Sequence, residues 1–188
     1  MEENQKFKGK YRGGTVRWAK WDYAASAWYF VTICTKNKNH FFGEITVQPQ
    51  NIAVPTADTE PQNIAVLRAT HIGQTAQDCW LTIPQHFPFV VLDAFVVMPN
   101  YIHGLFYFDK PNHEFQAGNK FGTQSQNLAS VIRGYKTGVT VEARKQNIEF
   151  DWQDGFHEHV VKDEAEFNEI QNYIINNPQK WVDDCFYM

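Results

Sequence analysis

"VVMPNYIHGLFYF", residues 96–108, reads as a strand end, a Pro99-Asn100 turn and a second strand carrying Tyr101, Ile102 and His103. Side chains two apart on a strand share a face. Tyr101 and His103 therefore look one way, and Ile102 packs on the other. A histidine at 101 would make a pair of metal-binding imidazoles on a sheet; the residue there is tyrosine. Just upstream, "FVVLDAFVVMP" (89–99) supplies the partner strand of a hairpin with 101–108.

Working outward, "WYFVTICT" (28–35) is β-branched and aromatic and reads as a buried strand. "HFFGEITV" (40–47), beyond the polar turn "KNKN", is expected to pair with it as a hairpin. "PQNIAV" occurs at 49–54 and again at 61–66. Two copies do not make a repeat fold, and they read as a duplicated loop segment. Ile64, Val66, Leu67, Ile72, Ala76, Cys79 and Trp80 fall at helical spacing across 63–82, a run that Pro84 closes.

Residues 109–126 read as loop. A helix over 127–146 carries Leu128, Val131, Ile132, Tyr135 and Val139 on one stripe, weakened by Gly134 and Gly138. "FDWQDGFHEHVVK" (150–162) is extended. The last helix starts at Asp163, with Glu166 completing a D-x-x-E capping box, and stops at Pro178. Its inward side is marked by Phe167, Ile170, Tyr173 and Ile174. Strands and helices in this order predict an α+β fold, an antiparallel central sheet flanked by helices. At 188 residues the chain is read as a single domain, 1–188, with a basic arm at 1–20 and loop insertions at 48–62 and 109–126.

Composition narrows the classes. With 43% hydrophobic and 15% aromatic residues the chain is globular. No apolar run approaches the roughly 18 residues of a membrane span, so no membrane partner is expected. The polar start and three scattered cysteines, Cys34, Cys79 and Cys185, suit a reducing, cytoplasmic home. The net charge of −4 argues against a nucleic-acid binder, but the charges are uneven. Residues 1–20 hold six cations, leaving 11 of the 17 cations and 19 of the 21 acids for the remainder. Such an arm can meet phosphates, or be an ordinary solvated leader.

Tyr173 and Asn177, four apart on the last helix, lie one turn apart on one face. If that helix crosses the strand of Tyr101 and His103, four polar groups converge. A neutral imidazole and an amide oxygen are acceptable ligands for Mg²⁺ or Mn²⁺.

The segments "WDYAASAWYFVTICTKNKNHFFGEI", "FPFVVLDAFVVMPNYIHGL", "SVIRGYKTGVT", "WQDGFHEHVVKDE" and "YIINNPQKW" follow one another in an order that resembles the REP-associated tyrosine transposases, a branch of the single-tyrosine HUH nucleases. The resemblance covers most of residues 11–181. It implies a ferredoxin-like HUH-nuclease fold and an enzyme that cuts and joins single-stranded or hairpin DNA through a 5′-phosphotyrosine link, as a monomer or a homodimer. By position, it implies Tyr173 as nucleophile and His103 and Asn177 as ligands of a divalent cation, Mg²⁺ or Mn²⁺. The first histidine of the family's pair falls on Tyr101, which breaks the pattern. Tyr101 is then a lost ligand, a weak phenolate ligand or an aromatic that stacks on a base. A phenol titrates near ~10 and is a poor nucleophile at neutral pH unless a base or cation assists it.

Each residue also has a plainer role. Tyr173 can be a core tyrosine, His103 a satisfied sheet histidine, and Asn177 the end of a helix. Tyr135 is a competing nucleophile, but Val139 one turn on gives it no ligand, and packing suits it better. Arg133 and Lys136 either touch DNA phosphates or face solvent. In "HEH", the resemblance places Glu158 and His159 beside the site, in reach of DNA; His157 and His159 share a strand face. Arg12, Arg17 and Trp18 in the arm can hold phosphate and stack a base. The leading expectation is a DNA strand transferase with an impaired metal site. The second is a hairpin-binding protein that keeps the fold without cleavage, and the third a small interaction domain with no nucleic-acid partner, favoured by the isoelectric point near 5.9.

Overall fold

The computed structural model describes residues 6–7, 10–11, 21–49, 63–114 and 126–184. Two short strands, Lys6–Phe7 (β1) and Lys10–Tyr11 (β2), pair with each other. Arg12, Arg17, Trp18 and Cys185 lie outside the described residues.

The centre is a four-stranded antiparallel sheet of Trp28–Cys34 (β3), Val90–Val97 (β6), Tyr101–Phe108 (β7) and His157–Val160 (β8). Its order is β6-β7-β3-β8. β7 is buried on both faces, as its near-continuous apolar run requires. The expected hairpin of 89–99 with 101–108 forms through Pro99-Asn100, with Val96 opposite His103.

The strand Gly43–Pro49 (β4) corrects one expectation. It does not pair with β3 but with Asn63–Ala69 (β5), Gly43 opposite Ala69. β3 has residues buried on both of its faces, and β7 and β8 flank it. The half-polar "GEITVQP" suits a two-stranded ribbon better. Between them the chain turns through Asn37 and Lys38, both at positive φ (55° and 56°).

The predicted helix over 63–82 is likewise corrected. β5 takes 63–69, and the helix His71–Leu81 (α1) begins only after Thr70, whose hydroxyl caps the N–H of Gly73 at 3.1 Å. The second PQNIAV copy is therefore not a loop: its Asn63–Val66 stretch is strand. Much of the first copy, 50–54, lies outside the described residues. The short helix Ile83–His86 (α2) carries Pro84 in its first turn.

The helix Leu128–Lys145 (α3) matches its predicted span and stripe, with Leu128, Val131, Ile132, Tyr135 and Val139 buried. Asn127 and Ser130 form its capping box. α1 and α3 cover one face of the sheet. There Trp80 stacks on Phe95 (5.8 Å) and meets Tyr135 edge-on (5.2 Å). Full burial of a large apolar side chain stabilises by about 1.5–3 kcal/mol, and this cluster holds the sheet and both helices together.

The other face receives Glu164–Asn176 (α4). Asp163 caps it by accepting from the Glu166 N–H at 2.9 Å. The reciprocal half of the capping box is absent: Glu166 instead accepts from the Lys162 N–H (2.7 Å) and meets His159 Nε2 (2.8 Å). Phe167 packs edge-on against Trp28 at 4.7 Å, and Gln171 donates to Asp93 at 2.8 Å, which fixes α4 over β3 and β6. Pro178 ends the helix, and a 3₁₀ turn, Pro178–Asp183, follows. Among the described residues no helix is long and apolar enough to cross a membrane.

Candidate functional site

Strand alternation and the β3–β7 register put Thr32, Tyr101 and His103 on the face beneath α4, with Thr32 directly opposite His103. Helical spacing puts Tyr173 and Asn177 on the side of α4 that faces them. The four groups expected to converge do so.

His103 is buried, at 2% exposure. Its Nδ1 lies 2.8 Å from Thr32 Oγ1 and its Nε2 3.2 Å from Tyr173 Oη. Burial pulls the imidazole pKa down to about 4, so the ring is neutral at neutral pH. A neutral ring donates from one nitrogen and accepts at the other. When Nδ1 donates to Thr32, Nε2 accepts from the Tyr173 hydroxyl. Tyr173 itself is 41% exposed, and its ring meets Phe30 edge-on at 6.3 Å. The expected inward position is thus only half right: the ring leans on the sheet and its flank is open to solvent. Tyr135, the competing nucleophile, is buried in the core and donates to the Ala76 carbonyl at 3.1 Å.

Tyr101 is wholly buried, its ring 4.5 Å from that of His103 and 5.9 Å from that of Trp181. Its hydroxyl lies 2.6 Å from Asn177 Oδ1 and 2.7 Å from Asp184 Oδ2. Burial, reinforced by the Asp184 carboxylate, pushes the phenol well above its ordinary pKa. It remains a protonated donor.

Asp184 is the residue that reading the sequence missed. It stands seven positions past Asn177, beyond a proline, where no spacing rule predicts a return to the site. The two adjacent acids after Trp181 were the available signal.

These residues do not fit a divalent cation as they are arranged. The two oxygens best suited to a hard ion, on Asn177 and Asp184, both turn onto a neutral phenol. A cation at the point where they meet would have to displace the phenol. Among the described residues no group of three or more His, Cys, Asp or Glu side chains gathers to hold a metal.

The DNA-contact candidates divide. His159 shares the face of His103 but is held by Glu166. His157, opposite Thr32, lies on that face too and is exposed. Glu158 pairs with Val31 and so points to the other face, away from Tyr173. Neighbours on a strand point to opposite faces, so Glu158 faces the α3 side of the sheet. Arg133 and Lys136 sit on α3, across the sheet from α4. With Arg144, Thr140 and Phe156 they line a groove of about 440 Å³. The Lys136 ammonium ties down the following loop by donating to the carbonyls of Gln153 (2.8 Å) and Gly155 (2.6 Å).

No protein-family model matches the chain. An uncharacterized protein of Haemophilus influenzae is 34% identical over 194 residues, covering 95% of this chain and 98% of that one. The solved structure of a REP-associated tyrosine transposase bound to a REP hairpin superposes with a TM-score of 0.51 at 15% identity, covering 96% of this chain and 74% of that chain. That likeness is one of fold.

Proposed function

Since the chain belongs to the same family as that Haemophilus influenzae protein and has the fold of a tyrosine transposase, we propose that it binds single-stranded or hairpin DNA and brings a backbone phosphate to Tyr173. One observation carries the reading. The hydroxyl of a partly exposed tyrosine is held 3.2 Å from a buried, Thr32-anchored imidazole, on the strand and helix where the resemblance puts the nucleophile and ligand. Arg133 and Arg144, exposed on α3, offer a second place for phosphates.

Strand cleavage is the second reading, favoured by the same contact. Tyr173 Oη would attack phosphorus while the bond to the 3′ oxygen breaks. The phenol proton would pass to His103, and the departing 3′ oxygen would take up a proton. The product is a 5′-phosphotyrosine and a free 3′-hydroxyl. The obstacle is the base. Burial holds the imidazole pKa down to about 4, so His103 is a weak acceptor for the phenol proton. DNA binding is therefore the first reading, and cleavage would call for a better proton acceptor than His103 alone.

The test is a fluorescence-anisotropy titration of labelled hairpin DNA with the full chain in EDTA. Saturable binding that weakens steeply with salt is the expected result; none at low salt overturns the proposal. A protein–DNA adduct on a denaturing gel, lost in Tyr173→Phe, would establish the second reading.

A further inference from the structure

The contacts of Tyr101 go beyond a missing ligand. Two acceptor oxygens reach its hydroxyl from different parts of the chain, Asn177 at the end of α4 and Asp184 past the 3₁₀ turn, at 2.6 and 2.7 Å. A phenol has one proton to give. An amide oxygen and a carboxylate oxygen thus converge on one point with a single hydrogen between them. Oxygens of this kind gathered at one point are what a hard cation demands; the His103 ring lies beside the phenol at 4.5 Å, with its nitrogens turned to Thr32 and Tyr173. The phenol occupies that point. Its ring is wedged between His103 and Trp181 and is wholly buried, so it cannot swing aside without displacing its neighbours.

We infer that the Tyr101 hydroxyl is a resident substitute for a divalent cation: it closes the Asn177 and Asp184 oxygens to Mg²⁺ and Mn²⁺ and tethers the Pro178–Asp184 segment to the sheet. The inference stands on this geometry and not on the DNA-binding reading. Its consequence is that a cation site is latent in the fold and one substitution away. Tyr101→His exchanges the capping phenol for a ligand, and Asp184 then serves as a carboxylate ligand that the sequence pattern did not include.

The experiment titrates Mn²⁺ alone into the full chain, read by calorimetry and by the paramagnetic resonance of free Mn²⁺. Wild type is expected to show no saturable uptake. Tyr101→His is expected to take up one Mn²⁺ per chain, and adding Asp184→Asn should weaken that uptake by about tenfold or more. Uptake by wild type as tight as by Tyr101→His overturns the inference. So does a folded Tyr101→His, judged by circular dichroism, that takes up none. If Tyr101→His does not fold, Tyr101→Asn decides, because it removes the ring and leaves an oxygen and room at that point. Its melting temperature should rise with Mn²⁺ while that of wild type does not, and no such rise overturns the inference. Failure of wild type to bind hairpin DNA in EDTA would end the DNA reading and leave this inference untouched; Mn²⁺ uptake by wild type would do the reverse.

Discussion

The hydroxyl of Tyr173 stands 3.2 Å from Nε2 of His103, joining α4 to β7 across seventy positions of chain. The contact depends on three separate placements. The β3–β7 register sets Thr32 opposite His103 and anchors the ring at Nδ1. The Gln171–Asp93 bond and the Phe167–Trp28 contact fix α4 above the sheet. Phe30 supports both rings, 5.2 Å from that of His103 and 6.3 Å from that of Tyr173.

His103 makes stability depend on pH. Its folded pKa lies below the ordinary histidine value, so the unfolded chain binds the proton more readily. The contribution is complete above about pH 6.5 and is lost as pH falls toward about 4, amounting to about 3 kcal/mol. Urea unfolding across this range should show a falling midpoint on acidification, and His103→Gln should flatten that part of the profile.

Tyr101→Phe leaves the Asn177 and Asp184 oxygens without their phenol. A loss of about 1–3 kcal/mol is expected, since a buried acceptor deprived of its donor keeps its desolvation cost. Chemical denaturation measures it. An unchanged midpoint would mean the hydroxyl contacts are not stabilising.

Two glycines should respond in opposite directions. A Cβ on Gly104 would stand 2.0 Å from Trp80 Cζ2, inside a packed core, so Gly104→Ala should destabilise by about 1–3 kcal/mol or more. A Cβ on Gly138 in α3 would meet only Cys79 Sγ at 3.5 Å, an ordinary contact. Gly138→Ala should stabilise by about 0.5–1 kcal/mol. Thermal melts of the two variants check both.

If phosphates also rest on α3, Arg133→Ala and Arg144→Ala should each weaken hairpin binding uniformly across sequences. Each should also reduce the slope of log affinity against log salt by about 1. An unchanged slope would remove α3 from the DNA-binding surface.

Much of this arrangement could be read from the residues. β7, α3 and α4 were legible from local signals: an apolar run after the Pro99-Asn100 turn, one buried stripe along 128–139, and Asp163 before and Pro178 after the last helix. The ribbon of β4 and β5 was not. Over the seven residues 63–69 helical and alternating spacing fit Ile64, Val66 and Leu67 equally well, and the partner of β4 is chosen by distant contacts. Tyr101 announced an anomaly but not its resolution, because Asp184 returns to it from 83 residues away. Glu158 and His159 were legible as opposite faces of one strand from alternation alone.

The central claim is that DNA lies against the face that presents Tyr173. A hairpin bearing a photoreactive thymine, cross-linked to the full chain in EDTA and mapped by mass spectrometry, tests it directly. The account predicts saturable cross-links, competed by unlabelled hairpin, within Glu164–Asn177 around Tyr173. Saturable cross-links confined to other segments, or none at all, would contradict it.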